Sequence, residues 1–256
     1  MKGFLEEYGL IIVVVAVILL MLLFGKTGYA KSIQDAILGS ADHIVETGEG
    51  VTKGSDVKSS DTLNIEGSKY IVLEKQGNSQ ALVTTTRSIG TRAFQLYDRS
   101  DGQNQSTYEG CDIDNYLENT WYKGLSAKMQ SAIQATNIKQ ASYAIDTDPD
   151  SKQETGPNGQ VYNTISRHAF LPSVSEIGKV VDLKNRRKVT AFLNGGEAIW
   201  TRDSGQGNGV CAELLNVGND WLRRIGVFNK EYHIRPAFVI DLSKVDYTEA
   251  GHVDYK

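Results

Sequence analysis

From Leu10 to Phe24 the chain reads LIIVVVAVILLMLLF, without one polar side chain. Such a segment is stable only where water is excluded, in a bilayer or against equally apolar helices. The run is shorter than the roughly 20 residues a helix needs to cross a bilayer; Tyr8, Gly9 and Gly25 bring it close. Glu6 and Glu7 stand where a cleaved secretory signal carries basic residues, and no Ala-x-Ala site follows. Lys2, Lys26 and Lys31 bias the flanks too weakly to set an orientation. Residues 1–25 are therefore read as a membrane anchor or pilin-like apolar helix.

Between Lys31 and Glu46, Ile33, Ile37, Ala41, Ile44 and Val45 recur at helical spacing, which predicts an amphipathic stem helix over 26–46. A fully apolar half-helix leading into an amphipathic one resembles the stem of type IV pilins. Lys2-Gly3 followed by Phe4-Leu5-Glu6-Glu7 looks like a prepilin leader, and Glu7-Tyr8-Gly9-Leu10-Ile11 resembles the start of small tight-adherence pilins. The resemblance implies cleavage between Gly3 and Phe4 and packing against identical or pilin-like subunits. Glu7 would neutralise a neighbour's amino terminus, because an unpaired charge in an apolar bundle is costly. It stands one position earlier than the glutamate of those pilins. A plain signal anchor with a short helical stalk is the competing reading.

Residues 47–63 are rich in Gly, Ser, Thr, Asp and Lys and are expected to be a linker. A head domain then runs from 64 to 256. KYIVLEK and QALVTTT flank Gln76-Gly77-Asn78-Ser79 and predict a β-hairpin, and TRAFQLYDR is a third strand candidate. DIDNYLENTWYKG and SAKMQSAIQATN predict short helices, the second capped by Ser126. Ser173-x-x-Glu176 is a capping-box pattern opening a helix toward Val181. VCAELL, WLRRIGVF and HIRPAFVIDL return the chain to strands. This mixture predicts an α+β head.

A net charge of −4 and a pI near 5.6 argue against a general nucleic-acid binder. Arg186, Arg187 and Lys188 form the one basic cluster, read as a solvated turn in preference to a phosphate site. Cys111 and Cys211 have no metal-ligand spacing; a disulfide and two unpaired thiols are equally open. Asp146, Asp148 and Asp150 alternate like the start of a calcium loop. Ser151 and Pro157 stand where an EF-hand has Gly and Glu, so a solvated acidic turn is the preferred reading. His168 reads as a structural histidine. Arg235-Pro236 is expected to fix a strand entry, with Arg235 pairing with a buried carboxylate such as Asp241. Trp200, Arg202, Asp203, Asn216, Asn219, Asp220, Trp221, Arg223, Tyr232 and His233 cluster in or beside Gly/Asn/Asp-rich loops between strands. Their stacking and planar hydrogen-bonding groups suit recognition of an extracellular protein or glycan; taken singly, Trp200 and Trp221 read as core in preference to ligand platforms, as large aromatics do.

KYIVLEKQGNSQALVTTT, YEGCDIDNYLEN, GLSAKMQSAI, HAFLPSVSEIG, AIWTRDSG and HIRPAFVIDL occur in this order. The series resembles a family of bacterial surface domains similar to the C-type-lectin-like fold, in the version shared with formylglycine-generating (sulfatase-modifying) factors. The most specific pieces are Trp200-x-Arg202-Asp203 and Arg235-Pro236-Ala237-Phe238. This resemblance implies a rigid cell-surface head that binds ligands, adhesin-like, through its C-terminal loops. It also implies a target for diversity-generating retroelements, which Asn208, Asn216, Asn219 and Asn229 would suit. Only Cys211 stands where the oxidases of that fold hold a copper-binding cysteine pair. His43, His168, His233 and His252 offer no iron triad. A non-enzyme without a cofactor is expected, with a passive filament subunit or a metal-dependent enzyme of that fold as the alternatives.

Overall fold

The computed structural model describes residues 56–100, 105–139, 142–143, 152–153, 164–205, 211–215 and 222–256. The anchor, stem and leader readings (Gly3, Phe4 and Glu7 included) lie outside these residues. So do Asp146, Asp148, Asp150, Asn216, Asn219, Asp220 and Trp221. Among the described residues no helix is long and apolar enough to cross a membrane.

In chain order the first strands are β1 (Asp61–Ile65), β2 (Ser68–Gln76) and β3 (Gln80–Thr85). A helical passage follows: α1 (Asp112–Tyr116), a π-helical stretch Leu117–Trp121 and a 3₁₀ turn Tyr122–Gly124. Then come α2 (Ala127–Ala132), β4 (Ile133–Gln134), β5 (Thr136–Lys139), β6 (Ser142–Tyr143), β7 (Lys152–Gln153) and β8 (Thr164–Arg167). Two short helices, α3 (Val174–Ile177) and α4 (Arg186–Phe192), precede β9 (Ile199–Gly205), β10 (Cys211–Leu215) and β11 (Leu222–Gly226). The chain closes with β12 (Ala237–Asp241) and β13 (Tyr247–His252). The head is α+β.

The principal sheet has the order β13-β1-β2-β3-β12-β4 and is antiparallel throughout. Its central strands are continuous apolar runs because both faces are covered. Side chains alternate across a strand, so Ile71, Leu73, Leu82, Ala237 and Val239 enter one core with Phe94, Phe170 and Trp200. Tyr70, Val72, Ala81, Val83, Phe238 and Ile240 enter a second core with Met129, Ala132 and Leu242. The β1–β2 hairpin turns on Glu66 and Gly67, whose φ values of 49° and 77° are the left-handed pair that matches strand twist. A second sheet runs β11-β10-β9-β6-β7, antiparallel except for the parallel β6–β9 pair; β5 and β8 form a separate ribbon.

Local capping follows the sequence. Ser126 Oγ accepts from Met129 N at 3.0 Å, and Ser173 and Glu176 complete the expected capping box. Two readings are corrected. The expected linker ends before residue 63: Val57 and Leu63 are buried, and Asp61 already opens β1. TRAFQLYDR is not a ladder strand. Thr91 makes one isolated bridge to His233, while Arg92 N donates to Tyr232 O, Gln95 N to Val227 O and Leu96 N to Asp112 Oδ2. Its backbone groups are satisfied one by one by different parts of the chain, so the alternating pattern serves a fastened loop.

Phe238 lies in the sheet interior, edge-on to Tyr70 at 5.4 Å and tilted on Trp121 at 5.9 Å. Phe238→Ala should destabilise the head by about 3–5 kcal/mol through lost transfer energy and a residual cavity. All three tryptophans (121, 200 and 221) lie in the head, so urea unfolding of the whole chain followed by tryptophan emission measures it.

Candidate recognition surface

Strand β9 lies between β10 and β6, and its side chains from Ile199 to Ser204 are buried. Trp200, fully buried, donates from Nε1 to Arg92 O at 2.8 Å and packs edge-on to Phe94 and Tyr232. Arg202, 5% exposed, forms a bidentate pair with Glu176, Nη1 to Oε2 and Nη2 to Oε1, each at 2.6 Å. Its Nη1 also donates to Leu171 O and its Nε to Lys139 O. Asp203 Oδ2 accepts from Val174 N at 2.7 Å, and Ser204 Oγ meets Ser106 Oγ at 3.0 Å. Trp200, Arg202 and Asp203 are therefore interior. The expectation that they contact a ligand is corrected: apart from Asp203 Oδ1, their polar atoms are held by α3 and by other segments of the chain.

Burial alone would raise the Glu176 carboxyl, but the charge and hydrogen bonds of Arg202, with the Ser173 N–H, hold it below the ordinary carboxylate value. Burial dominates at Asp203 and pushes its carboxyl up to about 6, against the pull of Arg202 and the Val174 N–H. Its Oδ1 is buried without a hydrogen-bond partner.

Arg223, Tyr232 and His233 reach the surface in part. Arg223 is exposed on β11, opposite Leu214. His233, half-buried, places Nδ1 3.1 Å from Ser88 Oγ. His168 is held as a structural histidine: stacked on Tyr122 at 4.5 Å, it places Nδ1 2.7 Å from Glu118 Oε1. Arg235 pairs with Glu197 at 3.4 Å and donates to Phe192 O, so the expected pairing with Asp241 is corrected; Asp241 instead caps the turn at Ser243. Cys111 is a free, buried thiol whose Sγ caps α1 through Asp114 N. The disulfide alternative is therefore set aside. Among the described residues, no group of three or more His, Cys, Asp or Glu is placed to hold a metal ion.

Sequence reasoning missed two residues. Of the three large apolar side chains that are exposed among the described residues, Tyr97 (73%) and Phe228 (42%) lie on adjoining segments. The backbone bond from Gln95 N to Val227 O joins these segments at 3.1 Å. Gln95 Nε2 then fixes Tyr97 O at 2.8 Å, and Arg99 braces the far side of the loop through Thr107 O and Glu109 O. Phe228 sits in the turn closed by Asn229 N to Gly226 O. Apolar rings held on a fastened backbone offer stacking surface at little ordering cost. The available signal was the polar turn sequence after each ring: Asp98-Arg99-Ser100 and Asn229-Lys230-Glu231.

Residues 78–242 match the family described as a domain of unknown function (DUF6273). The chain belongs to this family. The matched range holds β3 to β12, including the Arg202 network and both exposed rings; β1, β2 and β13 lie beyond it. No curated protein and no solved structure matches the chain.

The Asp203 shift sets a pH dependence. The unfolded carboxyl ionises near 3.8 and the folded one near 6. Its contribution to stability is complete below the first value and lost as pH rises through the second, on the order of 3 kcal/mol. Asp203→Asn cannot ionise there. Between pH 4 and 7, urea midpoints of the native chain should fall relative to this variant; parallel profiles would refute the assignment.

Proposed function

We propose that the chain is an adhesin-like cell-surface protein, carried by an N-terminal membrane anchor or pilin-like stem, whose lectin-like head binds an extracellular protein or glycan and performs no chemistry. The observation that carries this reading is the pair of exposed rings, Tyr97 and Phe228, on adjoining fastened segments. Exposed rings lose apolar hydration when covered and need little further ordering, and buried aromatic anchors dominate most interfaces. Arg223, Tyr232 and His233 supply polar and stacking groups on nearby parts of the chain. The buried Arg202–Glu176 pair acts as support, holding β9 and α3 in place.

The apolar run Leu10–Phe24 supports the tether, and the polar stretch after Glu46 supports a boundary between stem and head. A lectin-like head is consistent with the α+β composition and with Trp200 and Arg202 serving as core of the binding domain.

The test places the whole chain, in zwitterionic nanodiscs, on glycan and extracellular-matrix protein arrays. A specific ligand is expected, bound at least tenfold more weakly by Tyr97→Ala and by Phe228→Ala, a change of about 1.4 kcal/mol or more. Lack of any ligand would leave the head a passive filament coat. Stoichiometric copper or iron in the purified chain would instead favour the enzyme reading.

A further inference from the structure

The basic cluster Arg186-Arg187-Lys188 forms the first turn of α4, where cations oppose the helix dipole. The three side chains have different fates. Lys188 Nζ donates to Asp254 O at 2.6 Å and pairs with Asp254 Oδ2 at 3.3 Å. Arg186 and Arg187 are exposed, and neither guanidinium has a hydrogen bond or ion pair among the described residues. Both line a basin of about 630 Å³ with Thr190, Ala191, Asn194 and Gly195.

Spacing explains the basin. Thr190 and Ala191 lie one turn after the two arginines, and Asn194 lies another turn on, so one stripe of the helix and its terminal turn form the wall. Asn194 and Gly195, at φ 51° and 86°, end the helix, and Asn194 Nδ2 fastens the rim by donating to Thr86 O at 2.6 Å. Arg87, exposed, is the next residue beside that rim. The helix N–H groups are not available as ligands, because Asn185 Oδ1 already accepts from Arg187 N and Lys188 N.

Nearby acids are already engaged: Asp254 by Lys188, Glu197 by Arg235 and Asp182 by the N–H of Lys184. Among the described residues neither Arg186 nor Arg187 meets a carboxylate, so the basin presents cationic charge. We propose that it binds a phosphate monoester or diester carried on a small polyol or sugar. Guanidinium groups match phosphate oxygens bidentately. Thr190 Oγ1 is spent on Arg186 O at 2.8 Å, so Thr190 and Ala191 offer carbon surface to the organic carrier. The basin is open and shallow, with room for a small headgroup beside the two guanidinium groups.

The test titrates glycerol 3-phosphate into the whole chain in zwitterionic nanodiscs, by calorimetry. Inorganic phosphate and glycerol are titrated in parallel, and pelleting with phosphatidylglycerol vesicles forms a further arm. Glycerol 3-phosphate should bind more tightly than inorganic phosphate, with no binding of glycerol. The double variant Arg186→Gln, Arg187→Gln should lose at least tenfold at unchanged tryptophan emission, while Lys230→Gln binds normally. Absence of glycerol 3-phosphate binding, equal loss in Lys230→Gln, equal affinity for inorganic phosphate, or binding to vesicles alone would each overturn the proposal.

Discussion

The Arg202 guanidinium holds together parts of the chain that are far apart in sequence. Its donors reach Lys139 O at the end of β5, Leu171 O ahead of α3 and both carboxylate oxygens of Glu176. The backbone of Arg202 adds a bond to Pro172 O, and its neighbour Asp203 holds Val174 N. A buried ion pair is weak evidence of net stability, because desolvation offsets most of its attraction, yet removing one partner leaves a charge stranded in the core. A displaced β9, an unwound α3 or a shifted 171–174 segment would leave guanidinium donors unsatisfied, so alternative packings are penalised together. Phe170, whose ring lies 5.4 Å from the guanidinium, completes the enclosure.

That arrangement also shows why part of the molecule was legible in the sequence and part was not. The central strands were legible because a sheet buried on both faces demands unbroken apolar runs, which Ile71–Leu73, Ala81–Val83 and Ala237–Ile240 supply. The caps at Ser126 and Ser173 were legible because each is local chemistry between residues three apart. The Trp200-x-Arg202-Asp203 unit was misread because a buried polar network and a recognition site use the same residue types. What separates them is whether Glu176, Leu171 O and the Val174 N–H arrive to satisfy the polar atoms, and that depends on tertiary structure.

The same limit applied to the rings at the surface. Tyr97 and Tyr108 stand in similar polar surroundings in the sequence, yet Tyr108 is buried, accepting from Leu171 N, and Tyr97 is 73% exposed. Phe228 falls just beyond the end of β11, and extending that strand by two residues, as its composition invites, would hide the ring in a ladder. The 91–99 segment has strand periodicity but is held by single bonds to residues 112, 227 and 232. Its irregular path is what brings Gln95 to Val227, joining the segments that carry the two rings.

Because the principal sheet is buried on both faces, its surfaces are spent on the fold, and what the head exposes lies on loops and edges. One edge is committed as well: β13 pairs with β1, so the chain enters the head and reaches its last strand side by side. Both strands lie outside the family-matched range, although Ile65 and Tyr247 contribute to the second core. The 91–99 and 226–229 segments are fastened to the first core, around Phe94 and Val227, whereas β1 and β13 feed the second. Tyr97 and Phe228 therefore stand on segments fastened to a different core from the one that the first and last strands feed.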